Sequence, residues 1–201
     1  WLNACGYFFL WCWCGFSPGP LPGLRDWFTL LAGVMFVVLL ALHGASFLAM
    51  KTRGELQAKA DALAKPVTVV LVLLLVAVVM ALPSVQPAFG AHYAGAPIGY
   101  VWPLTAVVLL VVRYVSAGRQ RPFVGFVASS LLVASLLVAA AWGIFPNLLI
   151  ATTGQANSLT TLNAATDRTG LEAGLWWVPP GLLLVIFYQV YIHRLFAGPV
   201  R

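Results

Sequence analysis

Acidic side chains are nearly absent from this sequence. Its 201 residues include five Asp and Glu beside eleven Lys and Arg, and charged residues make up only 8% of the total, against 62% hydrophobic residues. A soluble domain of this length needs a much more polar surface to cover its core. The composition therefore argues against a soluble fold and indicates a chain whose main solvent is lipid.

Cysteine is also scarce, and its distribution excludes two kinds of site. Cys5, Cys12 and Cys14 lie close together near the N-terminus, without a His or Cys partner at metal-ligand spacing. We therefore predict neither a zinc site nor a disulfide framework. The basic residues form no stripe interleaved with aromatic residues, which argues against a nucleic-acid partner. No nucleophile–base pair and no phosphate-binding loop is recognisable, so no catalytic residue is predicted.

Carboxylates are missing from every long apolar run. Five runs are long enough to cross a bilayer as helices, because about 20 helical residues span the hydrocarbon core. They cover residues 27–50, 66–82, 98–117, 123–145 and 173–195. A proton or cation path through lipid needs buried ionisable groups, so this chain by itself is a poor candidate for a proton-coupled transporter. The sequence predicts an all-α integral membrane protein with about five transmembrane helices.

The basic residues predict an orientation in the membrane. Nine of the eleven lie on one side: Lys51, Arg53, Lys59, Lys65, Arg113, Arg119, Arg121, Arg194 and Arg201. Only Arg25 and Arg168 fall on the other side. Because loops rich in Lys and Arg stay in the cytoplasm, the N-terminus is expected outside and the C-terminus in the cytoplasm.

The sequence divides into two parts, of which only the second has a recognisable pattern. Residues 1–26 form an N-terminal segment or outer loop that matches no recognisable pattern, whereas residues 27–201 form the five-helix membrane domain. The first residue is Trp1 rather than Met, and no signal peptide opens the chain. We therefore expect this domain to be the helix-bundle half of a larger subunit.

Three features inside the apolar runs allow predictions. His43 lies deep in the first span, where it is either a packed histidine bonded to a neighbouring helix or a haem ligand or proton-relay residue. Arg113 lies near the end of the third span, from which its side chain is expected to reach the lipid headgroups. The fourth span carries Gly and Ser at four-residue intervals, which is typical of a helix that packs closely against others.

Two of the connections have patterns of their own. Thr52 and Glu55 have the spacing of a capping box, and Glu55–Lys59 and Asp61–Lys65 are potential ion pairs one helical turn apart. The segment is either a short amphipathic helix on the membrane surface or an extension of a span into water. The loop over residues 147–172 is long and rich in Thr, Asn and Ser, as expected for either an ordered docking cap or a solvated linker.

Two stretches resemble one known family. The first combines Leu31-Ala32-Gly33 with the run from His43-Gly44-Ala45 to Lys51-Thr52-Arg53-Gly54-Glu55-Leu56. The second combines Phe145-Pro146 with Ser158-Leu159-Thr160 and Asn163-Ala164-Ala165-Thr166. In order and separation they are similar to the fifth helix and the last long loop of subunit II of cytochrome bd-type quinol oxidases. The resemblance covers about residues 27–201.

This resemblance implies a function that the chain serves without catalytic residues of its own. Such oxidases reduce dioxygen to water with electrons from a quinol, and haems b and d lie in subunit I. Subunit II, built as two four-helix bundles with a peripheral helix, supports that subunit, and in some members it holds a bound quinone. His43, Gly44, Thr52, Gly54, Glu55 and Asn163 are motif positions for which a structural role is expected.

Several expectations about partners and location follow from the same resemblance. The chain is expected in the bacterial inner (plasma) membrane, in contact with lipid, with the haem-bearing subunit I and in some members with a small single-helix subunit. No cofactor is expected in this chain. Half of a secondary transporter, with a broken helix at Pro179-Pro180, and a purely structural scaffold remain the alternatives.

Overall fold

Helices dominate the computed structural model, which describes residues 27–119, 121–149, 158–196 and 198. Six α-helices follow one another along the described chain: α1 Trp27–Lys51, α2 Glu55–Val85, α3 Pro87–Gly95, α4 Val101–Gly118, α5 Pro122–Ile144 and α6 Arg168–Leu195. A 3₁₀ helix at Pro97–Tyr100 precedes α4. The all-α class predicted from composition is confirmed. The predicted segment over residues 1–26 lies outside the described residues.

Five helices are long and apolar enough to cross a membrane. They are Trp27–Lys51, Glu55–Val85, Pro97–Ala117, Pro122–Ile144 and Arg168–Leu195. Helices suit this environment because each satisfies its own backbone hydrogen bonds where water is absent. The chain is therefore a multi-pass membrane protein.

The second span is part of a helix much longer than its apolar run. α2 continues through Pro66 and Pro83, so the segment after residue 54 is an extension of the span and not a separate surface helix. The predicted ion pair between Glu55 and Lys59 is confirmed at 2.6 Å. The predicted capping box is wrong, because the residue that caps α2 is Gly54, which makes no side-chain bond to the helix. Asp61 and Lys65 do not come within ion-pair distance.

Four helices close into a bundle. α1 packs against α2 and α5, and α4 packs against α5 and α2. The centre of the bundle contains aliphatic side chains from all four helices: Leu39, Leu42, Ala64, Leu71, Ala106, Leu110 and Leu132. α5 buries small residues along its length, including Gly125, Ser129, Ser135 and Gly143. The prediction that this span is a packing helix is confirmed.

Aromatic residues cover the end of the bundle at which α2 ends and α4 begins. The segment between α2 and α4 contains α3 and the 3₁₀ helix. Tyr93 of α3 anchors this segment to α5, because its hydroxyl donates to the carbonyl of Ala139 at 2.6 Å. Burial raises the pKa of Tyr93, and the neighbouring Tyr100 adds to this shift. His92 lies edge-on to Trp142.

α6 stands apart from the bundle, and none of its residues is buried. Its cap is Asp167, whose carboxylate accepts from the Gly170 N–H at 3.0 Å. That N–H, together with the backbone N–H of Thr169, lowers the pKa of Asp167. The connection from α5 to α6 contains a two-stranded antiparallel hairpin of β1 Asn147–Leu149 and β2 Leu159–Thr160.

Candidate functional site

His43 contacts the neighbouring helix α5. Its ring Nδ1 lies 3.0 Å from the hydroxyl oxygen of Ser129. The ring also stacks on Phe126, with 5.3 Å between centroids and an interplanar angle of 27°. His43 is about 12 Å along α1 from the end of that helix, at 1.5 Å per residue. Its immediate surroundings are thus a hydroxyl and an aromatic face from one helix.

Arg113 lies inside the bundle and not at its surface. Only 1% of the residue is exposed, and its Nε donates to the Ser46 hydroxyl at 2.9 Å. Ser46, equally buried, donates in turn to the carbonyl of Leu42 at 2.6 Å. The prediction that Arg113 reaches the lipid headgroups is wrong, because α1 and α5 enclose the side chain before it can leave the bundle.

A glycine makes the room for this buried guanidinium. A Cβ atom at Gly125 of α5 would lie 3.1 Å from the Arg113 Nη1 atom and 3.1 Å from the Ser116 hydroxyl. Residues of α1, α4 and α5 therefore surround one cation.

We call the end of the bundle where residues 51–55 join α1 to α2 and residues 119–122 join α4 to α5 its basic end. Starting from this end, polar contacts between helices occur at two successive levels, which we call steps. The first step is the Arg113–Ser46 bond, and the second is the His43–Ser129 contact. Because polar groups are costly in lipid, they are expected where helices face one another. The arrangement bonds α1 to α4 at the first step and to α5 at the second.

The contacts of His43 are those of a histidine packed between two helices. Its Nδ1 lies beside the Ser129 hydroxyl, and one face of its ring is covered by Phe126. Among residues 27–119, 121–149 and 158–196, no three His, Cys, Asp or Glu side chains are grouped as metal ligands.

The six motif positions do not converge on one site. His43 belongs to the polar steps inside the bundle, whereas a Cβ atom at Gly44 would meet nothing within 4 Å. Thr52, Gly54 and Glu55 lie in the turn between α1 and α2, where the Thr52 hydroxyl donates to the Leu48 carbonyl at 2.7 Å. Their structural roles stay predictions.

Asn163 holds the described part of the loop between α5 and α6. Its Oδ1 accepts from the Thr160 N–H at 2.6 Å, and its Nδ2 donates to the Ser158 carbonyl at 2.9 Å. The Thr160 hydroxyl accepts from the Asn163 N–H at 3.2 Å. One amide side chain thus closes the turn that follows β2.

Replacing Asn163 by alanine is expected to loosen this turn. The change removes two side-chain hydrogen bonds, each with a net contribution of about 1 kcal/mol. Hydrogen exchange of the Thr160 amide should therefore accelerate roughly tenfold or more, as mass spectrometry of deuterated peptides would show. Leu162→Ala is the control, because Leu162 is 88% exposed. Equal exchange rates in the two variants would contradict the assignment.

Comparison with known proteins places these features in a family. The sequence model of the family described as cytochrome bd terminal oxidase subunit II matches residues 4–196. The chain belongs to this family. Three relatives, each named cytochrome bd-I ubiquinol oxidase subunit 2, come from Escherichia coli strains K12, O6:H1 and O157:H7. Each is 25% identical to the chain over 216 residues, covering 92% of this chain and 56% of the relative.

The chain thus spans about half the length of the curated relatives that it matches. In this member of the cytochrome bd subunit II family, the sequence motif from His43 to Leu56 indicated the family. It did not predict that Arg113 is buried. A signal for that site was present in the sequence: Ser46 is a hydroxyl residue in a mostly apolar span, and such residues tend to face other helices.

Proposed function

We propose that the chain is part of the non-haem membrane subunit of a cytochrome bd-type terminal oxidase. The observation that carries this proposal is the family match over residues 4–196. In the proposed reaction, two quinols give up four electrons and four protons, and one dioxygen is reduced to two waters. The role of this subunit is to support the haem-bearing subunit I. Membership in the family gives no support to the transporter alternative.

The proposed complex has the partners that such an oxidase requires. Haems b and d belong to subunit I, and when bound they supply the electron transfer and oxygen chemistry. A quinone bound to this subunit and a small single-helix subunit are further proposed components. The proposed location is the bacterial inner membrane, with the basic end of the bundle in the cytoplasm, as the positive-inside rule favours.

We propose that α6 is the surface that contacts subunit I. Gln189 and His193 lie one turn apart on this helix, and the His193 Nδ1 is 2.8 Å from the Gln189 carbonyl. Together with Val190 and Arg194 they line an open depression on the helix surface of about 330 Å³. Gln189 lies about 9 Å from the end of α6, at 1.5 Å per residue. An amide that faces acyl chains at this depth is costly, so a protein surface is favoured over lipid as its neighbour.

Co-purification tests the proposed function directly. An affinity tag on the chromosomal copy of the whole protein, followed by mild detergent extraction, should recover a haem-bearing membrane partner. The visible spectrum of the eluate should show haem b and haem d, whereas the tagged protein separated from its partner should show neither. An eluate without haem, or haem that stays with the separated chain, would overturn the proposal.

A further inference from the structure

A pocket opens at the basic end of the bundle, where α1 gives way to α2. Its volume is about 590 Å³, and its lining residues are Met50, Lys51, Thr52, Arg53, Gly54, Gln57, Pro122 and Gly198. This volume is within the range of small-molecule sites. Lys51 ends one span and Pro122 begins another, so the pocket lies at the level where helices leave the hydrocarbon core. The pocket is also lined by Thr52 and Gly54 of the family motif, to which the proposed function assigns no role.

Two cations line the pocket without an ion pair to a carboxylate of the described chain. Lys51 and Arg53 both line it. Glu55, the acidic residue nearest to them in sequence, pairs instead with Lys59 at 2.6 Å. The other salt bridge between described residues joins Arg168 to Glu172 in α6. Neither cation of the pocket therefore has a carboxylate of the described chain within ion-pair distance.

Lys51 is held in place by neutral groups. Its Nζ lies 2.7 Å from the carbonyl of Phe196 and 3.4 Å from that of Gly198, in the segment that follows α6. These bonds fix the position of the ammonium without cancelling its charge. An ammonium group has three donors, so one N–H remains for a further acceptor.

Backbone donors add to the side-chain charges. Gly54 caps α2 with φ +72° and ψ −138°, and no side chain bonds to the first turn of the helix. The first N–H groups of a helix have no intrahelical acceptors and carry a partial positive charge. Gly54 and Gln57, on either side of that first turn, both line the pocket.

We infer that this pocket binds a phosphate group, from an anionic lipid headgroup or from free phosphate. A compact ammonium, a guanidinium and uncapped helix N–H groups are the donors that proteins bring to phosphate oxygens. The pocket brings Lys51, Arg53 and the first turn of α2 together where headgroups of the surrounding lipid would lie. This inference is independent of the oxidase assignment, because it rests only on the charges and geometry of this turn.

The test compares phosphate binding by the whole purified protein and two charge variants. Native mass spectrometry measures retained phosphatidylglycerol, and the thermal unfolding midpoint is measured with inorganic phosphate against chloride at equal ionic strength. Arg53→Gln should weaken binding about fivefold and Lys51→Gln/Arg53→Gln about 25-fold, at about 1 kcal/mol for each cation near a membrane surface. The charge-matched control is Lys65→Gln/Arg119→Gln, which should bind as the wild type does.

Each outcome bears on the inference. Lipid retention that falls only in the pocket variants identifies a lipid headgroup, and stabilisation by inorganic phosphate that is lost in the same variants identifies free phosphate. Either result supports the site. Unchanged binding in Arg53→Gln, a variant that removes no hydrogen bond found within the described chain, would overturn it. Equal losses in the charge-matched control would overturn it too, because the effect would then come from general surface charge.

Discussion

Replacing Arg113 by alanine is expected to lower the free energy of unfolding by about 3 kcal/mol. The change removes a hydrogen bond from a charged donor to Ser46, 2.9 Å long and fully buried. It also empties a space that Gly125 leaves open for the guanidinium. Unfolding in mixed micelles of increasing SDS content, followed by near-ultraviolet circular dichroism, would measure the loss.

Two further variants separate packing from charge. Arg113→Met fills most of the space without a charge to desolvate, and apolar replacement of a buried ion is often nearly neutral, so a loss within about 1 kcal/mol is expected. Arg119→Ala removes an exposed arginine six residues further along, just past the end of α4, and should change stability by less than about 0.5 kcal/mol. If Arg113→Ala were no less stable than Arg119→Ala, the buried site would not contribute to the fold.

The spans were predictable because one physical cause dominates them. A stretch such as residues 123–145 can satisfy its backbone in lipid only as a helix, and the structure places α5 at Pro122–Ile144. The length of α2 was harder to predict from the sequence. Its first turns are charged and contain Lys59, and such a segment suits a surface helix and an extended span equally well. Propensity at the start of a span does not determine where the helix begins, because contacts with neighbouring helices add to it.

The candidate site was harder to predict than the fold. A long cationic side chain near the end of a span can adopt two arrangements of similar free energy. It reaches the lipid headgroups, or it bonds to a polar partner inside the helix bundle. For Arg113 the outcome depends on Ser46, 67 residues away in sequence, and on the space at Gly125. His43 was foreseen as either a packed or a functional residue, and only the rotation of α5 decides which groups face it. Such long-range juxtapositions leave no local pattern in the sequence.

Replacing Gly181 by leucine is expected to reduce association with the haem-bearing subunit roughly tenfold or more, if α6 is the contact surface. Gly174 and Gly181, seven residues apart, lie on one face of α6, and small residues on a helix face allow another helix to approach closely. A Cβ atom at either position meets nothing within 4 Å. The larger side chain therefore leaves the fold of this chain intact and acts only on a neighbouring protein. The amount of haem co-purified per tagged chain measures the effect.

Leu183→Phe adds bulk to the opposite face, because two residues correspond to about 200° of helix rotation. Val190 and Arg194 lie on that side of α6 too. Association with the partner should survive this change if contact is made through the glycine face, and it should fall if contact is made through the side of Val190 and Arg194. Haem recovery that equals the wild type in both variants would remove α6 from the interface but leave the oxidase assignment standing, since the wild type would still carry its partner. Loss in both variants would instead mean that the whole circumference of α6 is enclosed by protein, as expected only if other helices of the complex surround it.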